Sequence, residues 1–157
     1  IHYLRVMAIF LFLGCWVDLD KEFIMQRFLM NKKVLFSTLW IFVTVNYIFC
    51  DIFTLFHSES LKQLMTGEMG GMEINQEFLL AFSFLMELPM VMIVLSRILS
   101  YKPNRLANII VASIMTIVQA ATLFTADNTL HYIFFSIIEI STTAFILYTA
   151  WQWTESE

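Results

Sequence analysis

The sequence predicts an all-α polytopic membrane protein, a four-transmembrane-helix antiparallel bundle. Apolar residues make up 59% of the 157-residue chain and charged residues only 14%, and the mean hydropathy is +0.75. Four apolar runs each approach the roughly 20 residues that cross hydrocarbon. Short links join the last three runs, which makes neighbouring helices antiparallel. As a globule in water such a chain would be insoluble, so the lipid bilayer is its expected partner and solvent. The runs read as helices rather than barrel strands, because a backbone in hydrocarbon must bond to itself and none of the runs shows the alternation of a barrel strand.

The spans are expected at residues 34–56, 76–99, 106–125 and 129–151, within a domain covering 30–157. Tyr101-Lys102-Pro103-Asn104-Arg105 separates the second and third, with Asn104 as a cap for the third, and Ala126-Asp127-Asn128 supplies capping residues before the fourth. Between the first two spans, Ser58 to Thr66 reads as a short amphipathic helix. Ser58 caps it, Leu61, Leu64 and Met65 share one face, and Gly67 ends it. Gly70-Gly71 then forms a flexible hinge before Asn75 caps the second span.

Arg27, Lys32 and Lys33 precede the first span and Arg97, Lys102 and Arg105 flank the link between the second and third, whereas the opposite side carries only Lys62. By the positive-inside bias both termini face the cytoplasm, with Trp151 and Trp153 in the inner aromatic belt. Residues 1–29 fit this scheme poorly. Val6 to Val17 is about as long as a signal-peptide core and short for a span, and as a span it would place Arg27, Lys32 and Lys33 outside. Met30-Asn31-Lys32-Lys33 has the form of a natural start, so residues 1–29 are expected to be a leader, an interfacial segment or an upstream extension.

Composition narrows the function. A formal charge of −4 and nine scattered Lys and Arg residues argue against nucleic acid as a partner. Cys15 and Cys50 form no C-x-x-C pair, which argues against membrane disulfide oxidoreductases. No G-x-S-x-G, P-loop or dinucleotide glycine pattern occurs, so soluble-type catalysis is not expected and no cofactor is implied. An intramembrane enzyme using two carboxylates and a histidine is left open.

The informative residues are polar ones inside the spans. Helical spacing aligns Ser37, Trp40, Thr44, Tyr47, Asp51 and Thr54 in the first span and Ser83, Glu87, Val94 and Arg97 in the second. Asn108, Ala112, Met115, Gln119 and Thr122 align in the third, and Ser136, Glu139 and Thr143 in the fourth. Four such stripes facing one another give a polar interior and an apolar exterior. Glu87 and Glu139 lie near mid-span, where an unpaired carboxylate is expensive. They are expected to hydrogen-bond Asn108, Gln119, Thr143 or each other, with Ser83 in support. Pro89, two residues after Glu87, kinks the second helix beside that carboxyl. Asp51 and His131 lie toward the outer end, where His57 and Glu77 could join them, although no compact metal-ligand motif is present.

The chain from Lys33 onward also resembles a family of small, uncharacterised bacterial four-helix membrane proteins, defined only as a domain of unknown function. Leu35-Phe36-Ser37-Thr38-Leu39-Trp40-Ile41, Cys50-Asp51-Ile52-Phe53, Met65-Thr66-Gly67, Glu87-Leu88-Pro89-Met90, Leu95-Ser96-Arg97, Asn104-Arg105-Leu106-Ala107-Asn108-Ile109-Ile110 and Ile133-Phe134-Phe135 through Ile138-Glu139 carry the resemblance. It implies four helices and a bacterial origin without supplying a substrate, and with the charge bias above the expected location is the bacterial cytoplasmic membrane.

Two functional classes fit. One moves protons, cations or a small solute through a polar core, with Glu87 and Glu139 as relay residues and Asp51 with His131 at the outer mouth. The alternative is a non-catalytic structural or assembly subunit, in which the same residues lock helices together and an outer face binds a membrane partner protein or a second copy as a homodimer.

Overall fold

The computed structural model describes residues 31–69, 72–125 and 128–154. The chain divides into two units, 1–30 and 31–157, and the leader expected at 1–29 lies outside the described residues. Four helices are long and apolar enough to cross a membrane: α1 (Lys32–Phe56), α3 (Gln76–Ile98), α4 (Tyr101–Thr125) and α5 (Leu130–Gln152). The short helix α2 (Ser58–Met65) follows α1 and leads into a two-residue antiparallel ladder, β1 (Glu68–Met69) with β2 (Met72–Glu73). The expected hinge at Gly70-Gly71 lies outside the described residues.

Local chemistry sets the boundaries. Asn31 and Asn75 accept the amides of Val34 and Phe78, which starts α1 and α3 with satisfied donors. Gly67 ends α2 at φ +79°, a left-handed conformation that glycine adopts without penalty. Two expected caps fall elsewhere. His57 rather than Ser58 caps α2, through a ring nitrogen that accepts from the Ser60 amide. Asn104 lies inside α4, which begins five residues before the expected 106 because Pro103 sits in the first turn, where a missing N–H costs nothing.

The helices close a ring. α4 packs most extensively on α5 and α1 on α3; α1 also packs on α5, and the α3 and α4 contact is the slightest. The core contains Phe36, Trp40, Val43, Met92, Met115 and Ile146. The exterior is a coat of exposed Ile, Leu, Val and Phe, including Ile48, Phe53, Leu80, Phe84, Val94, Ile117 and Ile137. A surface this apolar suits hydrocarbon rather than water. Hydroxyl groups on the spans turn back onto their own helices: Thr44, Thr54, Ser113 and Thr142 each bond the carbonyl four residues earlier.

One hydrogen-bonded chain crosses the bundle. Trp40 on α1 donates its indole N–H to Asn108 Oδ1 on α4 at 2.8 Å. Asn108 donates to the carbonyl and side-chain oxygens of Asn104, and Asn104 donates to the Ser96 carbonyl on α3. At the same end the Arg105 guanidinium bonds the Ala150 and Trp151 carbonyls, and the Tyr101 hydroxyl bonds the Trp153 carbonyl. These contacts close the C-terminus of α5. Replacing Asn108 with Leu leaves the Trp40 donor and the Asn104 acceptor buried without partners, at about 1–3 kcal/mol each. Asn108→Leu should therefore unfold at a clearly lower temperature in detergent than Thr44→Val, which removes a hydroxyl that bonds only a backbone carbonyl of its own helix. Equal midpoints for the two variants would contradict this account.

Candidate functional site

Position along α1 and α5 fixes the depth of the site. Tyr47 lies nine residues before Phe56 (56 − 47), and Glu139 lies nine after Leu130 (139 − 130). Both are therefore about 14 Å from the end of the bundle formed by the α1 C-terminus and the α5 N-terminus. Glu139 is 0% exposed and Tyr47 is 6% exposed. Neither carboxyl oxygen of Glu139 has a hydrogen-bond partner, and neither does the Tyr47 hydroxyl. Cys50, buried with a free thiol, and Tyr132 interact electrostatically with Glu139, as does Asp51.

The polar residues around Glu139 are bonded to one another instead. Gln119 on α4 donates to the Ser136 hydroxyl at 2.9 Å. Thr116 donates to Thr143 at 2.8 Å, and Thr143 donates in turn to the backbone carbonyl of Glu139. Tyr132 donates to Thr122, which bonds the Gln119 carbonyl. A buried carboxyl whose neighbours are otherwise engaged bears an uncompensated desolvation cost, unlike one that stitches helices together.

Toward the near end of the bundle the polar surroundings continue along α1 and α5. His131, half-buried, approaches Thr54 and Thr129 with its Nε2 at 3.3 Å from each hydroxyl. The His57 and His131 rings lie 6.5 Å apart, and Phe53 packs on Phe135 beside them. Among the described residues no three His, Cys, Asp or Glu side chains converge to hold a metal ion. Asp51 is exposed, and Glu77 is exposed on α3.

Sequence spacing thus placed Glu139, Asn108, Gln119 and Thr143 in the interior, and His131 at one end, as the structure has them. It did not place Glu87 or Ser83 correctly. Both are exposed, and neither contributes to the polar core. The stripe they share exists but faces outward, because Pro89, Met92 and Ser96 are the buried residues of α3. Glu87, two residues before Pro89, lies about 200° around the helix from it. On α1 the inward line runs through Cys50 rather than Asp51. Two features had no signal in the sequence: the pairing of Trp40 with Asn108 across 68 positions, and the lack of partners for Tyr47 and Glu139. The four-residue spacing of Asn104 and Asn108 was visible, although Asn104 read as a cap.

Together the ring of apolar helices, the hydrogen-bonded interior and the enclosed carboxyl define a small polytopic-type helical bundle with a polar core. The chain belongs to a family of unknown function, DUF6326, whose family model matches residues 24–157. This agrees with the resemblance read from the motifs. No curated protein matches the chain, and no solved structure matches it.

Because the Glu139 carboxyl and the Tyr47 hydroxyl make no hydrogen bonds, their removal should cost little. Glu139→Met and Tyr47→Phe are expected to unfold at or above the parent temperature in detergent, whereas Gln119→Leu, which strips a partner from Ser136, should cost about 1 kcal/mol. Thermal unfolding of the three variants checks this. Strong destabilisation by Glu139→Met would make the carboxyl a structural tie.

Proposed function

We propose that this protein lies in the bacterial cytoplasmic membrane with both termini inside, and that its core takes up a proton or small cation at Glu139. The carrying observation is the fully enclosed carboxyl with two unpartnered oxygens. Burying an ionisable group in a membrane span is costly, and such groups typically mark ion or proton pathways. Here the cost is not recovered by bonds to Gln119, Ser136 or Thr143, which are engaged with other groups. A proton, or a cation held between the carboxylate, the Tyr47 hydroxyl and backbone oxygens, would supply the missing partner.

Access follows the α1 and α5 seam. His57 and His131 stand at its end beside Thr54, Cys50 and Tyr132 lie between them and Glu139, and Asp51 is exposed at nearly the depth of Cys50. In this reading Glu139 is the relay residue, His131 and Asp51 serve the mouth, and Asn108, Gln119 and Thr143 are scaffold. Glu87 lies outside the path.

The reading is tested in proteoliposomes. The parent should carry a proton or monovalent-cation flux that Glu139→Gln reduces at least tenfold while folding is retained, because Gln preserves size and removes only the exchangeable charge. A membrane-permeant carbodiimide, which needs a protonated carboxyl it can reach, should label Glu139, and the transported cation should protect it. Unchanged flux in Glu139→Gln, or a Glu139 that the reagent never reaches, would leave a dry structural subunit as the better description.

A further inference from the structure

We infer that the groove on the outer side of α4 and α5 holds an anionic phospholipid, with an acyl chain along the groove and the phosphate at Lys102 and Arg105. The inference relies on the membrane placement proposed above but not on any uptake at Glu139.

α4 and α5 pack closely, yet their outward surfaces part to leave a cleft of about 470 Å³. Ile109 and Ser113 line it from α4, and Ala144, Leu147, Tyr148 and Trp151 line it from α5. Its deep end is open because Ser113 and Ala144 are small, and apolar because the Ser113 hydroxyl bonds the Ile109 carbonyl of its own helix. Ile109 also lines a second cleft, of about 220 Å³, that carries the groove on to Lys102 and Arg105. One end is thus apolar and the other cationic. A lipid in a leaflet has the same order.

Depth fits a single leaflet. Ser113 lies 12 residues from Tyr101 (113 − 101) and Ala144 lies eight from Gln152 (152 − 144), so the deep end is about 12 to 18 Å from this end of the bundle. Half of a hydrocarbon core is about 15 Å. Ser113 is also the thirteenth of the 25 residues of α4, the middle of that span. A groove that starts at the headgroups and stops near the midplane suits a lipid chain, whereas a transmembrane helix of a partner protein would use one that runs the full span.

The cationic end is prepared for a phosphate. The Arg105 Nε and Nη2 donate to the Ala150 and Trp151 carbonyls, which fixes the guanidinium from one side, and its Nη1 donors have no partner among the described residues. Lys102 is exposed three residues earlier, on the same face of α4. Neither cation forms an ion pair among the described residues, so both charges are left for an outside anion. Arginine binds phosphate oxygens through paired charge-assisted bonds, and basic pockets between spans at the membrane surface take anionic headgroups. The exposed rings of Tyr148 and Trp151 lie beside this end, where aromatic residues meet the headgroup level. A phosphatidylcholine headgroup would bring its own cation to the same place and is the poorer fit.

Fluorescence quenching by brominated lipids tests the proposal on the full chain in phosphatidylcholine vesicles. The emission due to Trp151, taken as the difference from Trp151→Phe, should be quenched more strongly by brominated phosphatidylglycerol than by brominated phosphatidylcholine at equal mole fraction. Lys102→Gln, which removes no bond of the fold, should weaken that preference about fivefold, the effect of one basic group at an anionic surface. Ala144→Phe fills the groove from an exposed position and should weaken quenching by both lipids. Equal quenching by the two lipids in the parent, or a preference indifferent to both variants, would overturn the proposal. A preference abolished by inorganic phosphate would do the same, by showing a site for a free anion. So would a preference that emerges only with Glu155→Gln and Glu157→Gln, since the chain's own carboxylates would then hold the cations. A chain that alkaline carbonate strips from the vesicles would sink the membrane placement together with the groove, whereas an inserted chain without the preference sinks the groove alone.

Discussion

The hydrogen bond from the Trp40 indole to Asn108, across the interior of the helix ring, is the interaction on which the rest of the arrangement depends. Its acceptor amide donates onward to Asn104, and Asn104 to the Ser96 carbonyl, so one continuous chain ties α1, α4 and α3. Between apolar helices in an apolar solvent, burial gives no preference for one rotation or register over another. Directional bonds do. With Asn108 facing Trp40, the α4 stripe of Ala112, Met115 and Gln119 must also face inward, and Gln119 then meets Ser136 on α5. The order of the core follows from one amide at one end.

That dependence divides the bundle into two halves of different character. The half containing Trp40, Asn104, Asn108, Arg105 and Trp153 has its helices tied by side-chain bonds, although the Ser96 hydroxyl and the Trp153 indole N–H there have no partner. The half beyond Tyr47 and Glu139 has hydroxyls, a thiol and two imidazoles in looser contact, and it contains the carboxyl that no neighbour satisfies. Buried polar networks rigidify when complete and are costly when partial.

The number and type of the helices were legible because they follow from composition over long windows, and hydrocarbon permits few alternatives. Spacing also recovered the inward stripes of α4 and α5, where small and amide residues alternate with large apolar ones at helical intervals. It failed on α3, where both faces are apolar and the polar residues Ser83, Glu87 and Arg97 form the more conspicuous stripe. The buried residues there are Pro89, Met92 and Ser96, of which only Ser96 is polar, too weak a stripe to stand out against Ser83, Glu87 and Arg97. In a soluble protein polar residues mark the outside, and in a membrane bundle they usually mark the inside. Glu87 obeys neither rule unless something outside the chain meets it. Which hydroxyl bonds which amide was not legible at all, since Gln119 could equally have served Glu139 or Ser136, and only the packing of α4 on α5 decides.

The two carboxyls therefore answer different demands, and the ring keeps them apart. α3 and α5 are not among the closely packed pairs and stand diagonally across the bundle, each flanked by α1 and α4. The slight contact between α3 and α4 has a further consequence. α3 is held mainly by α1 and by the Asn104 bond at Ser96, and Pro89 removes the amide that would have bonded the Leu85 carbonyl.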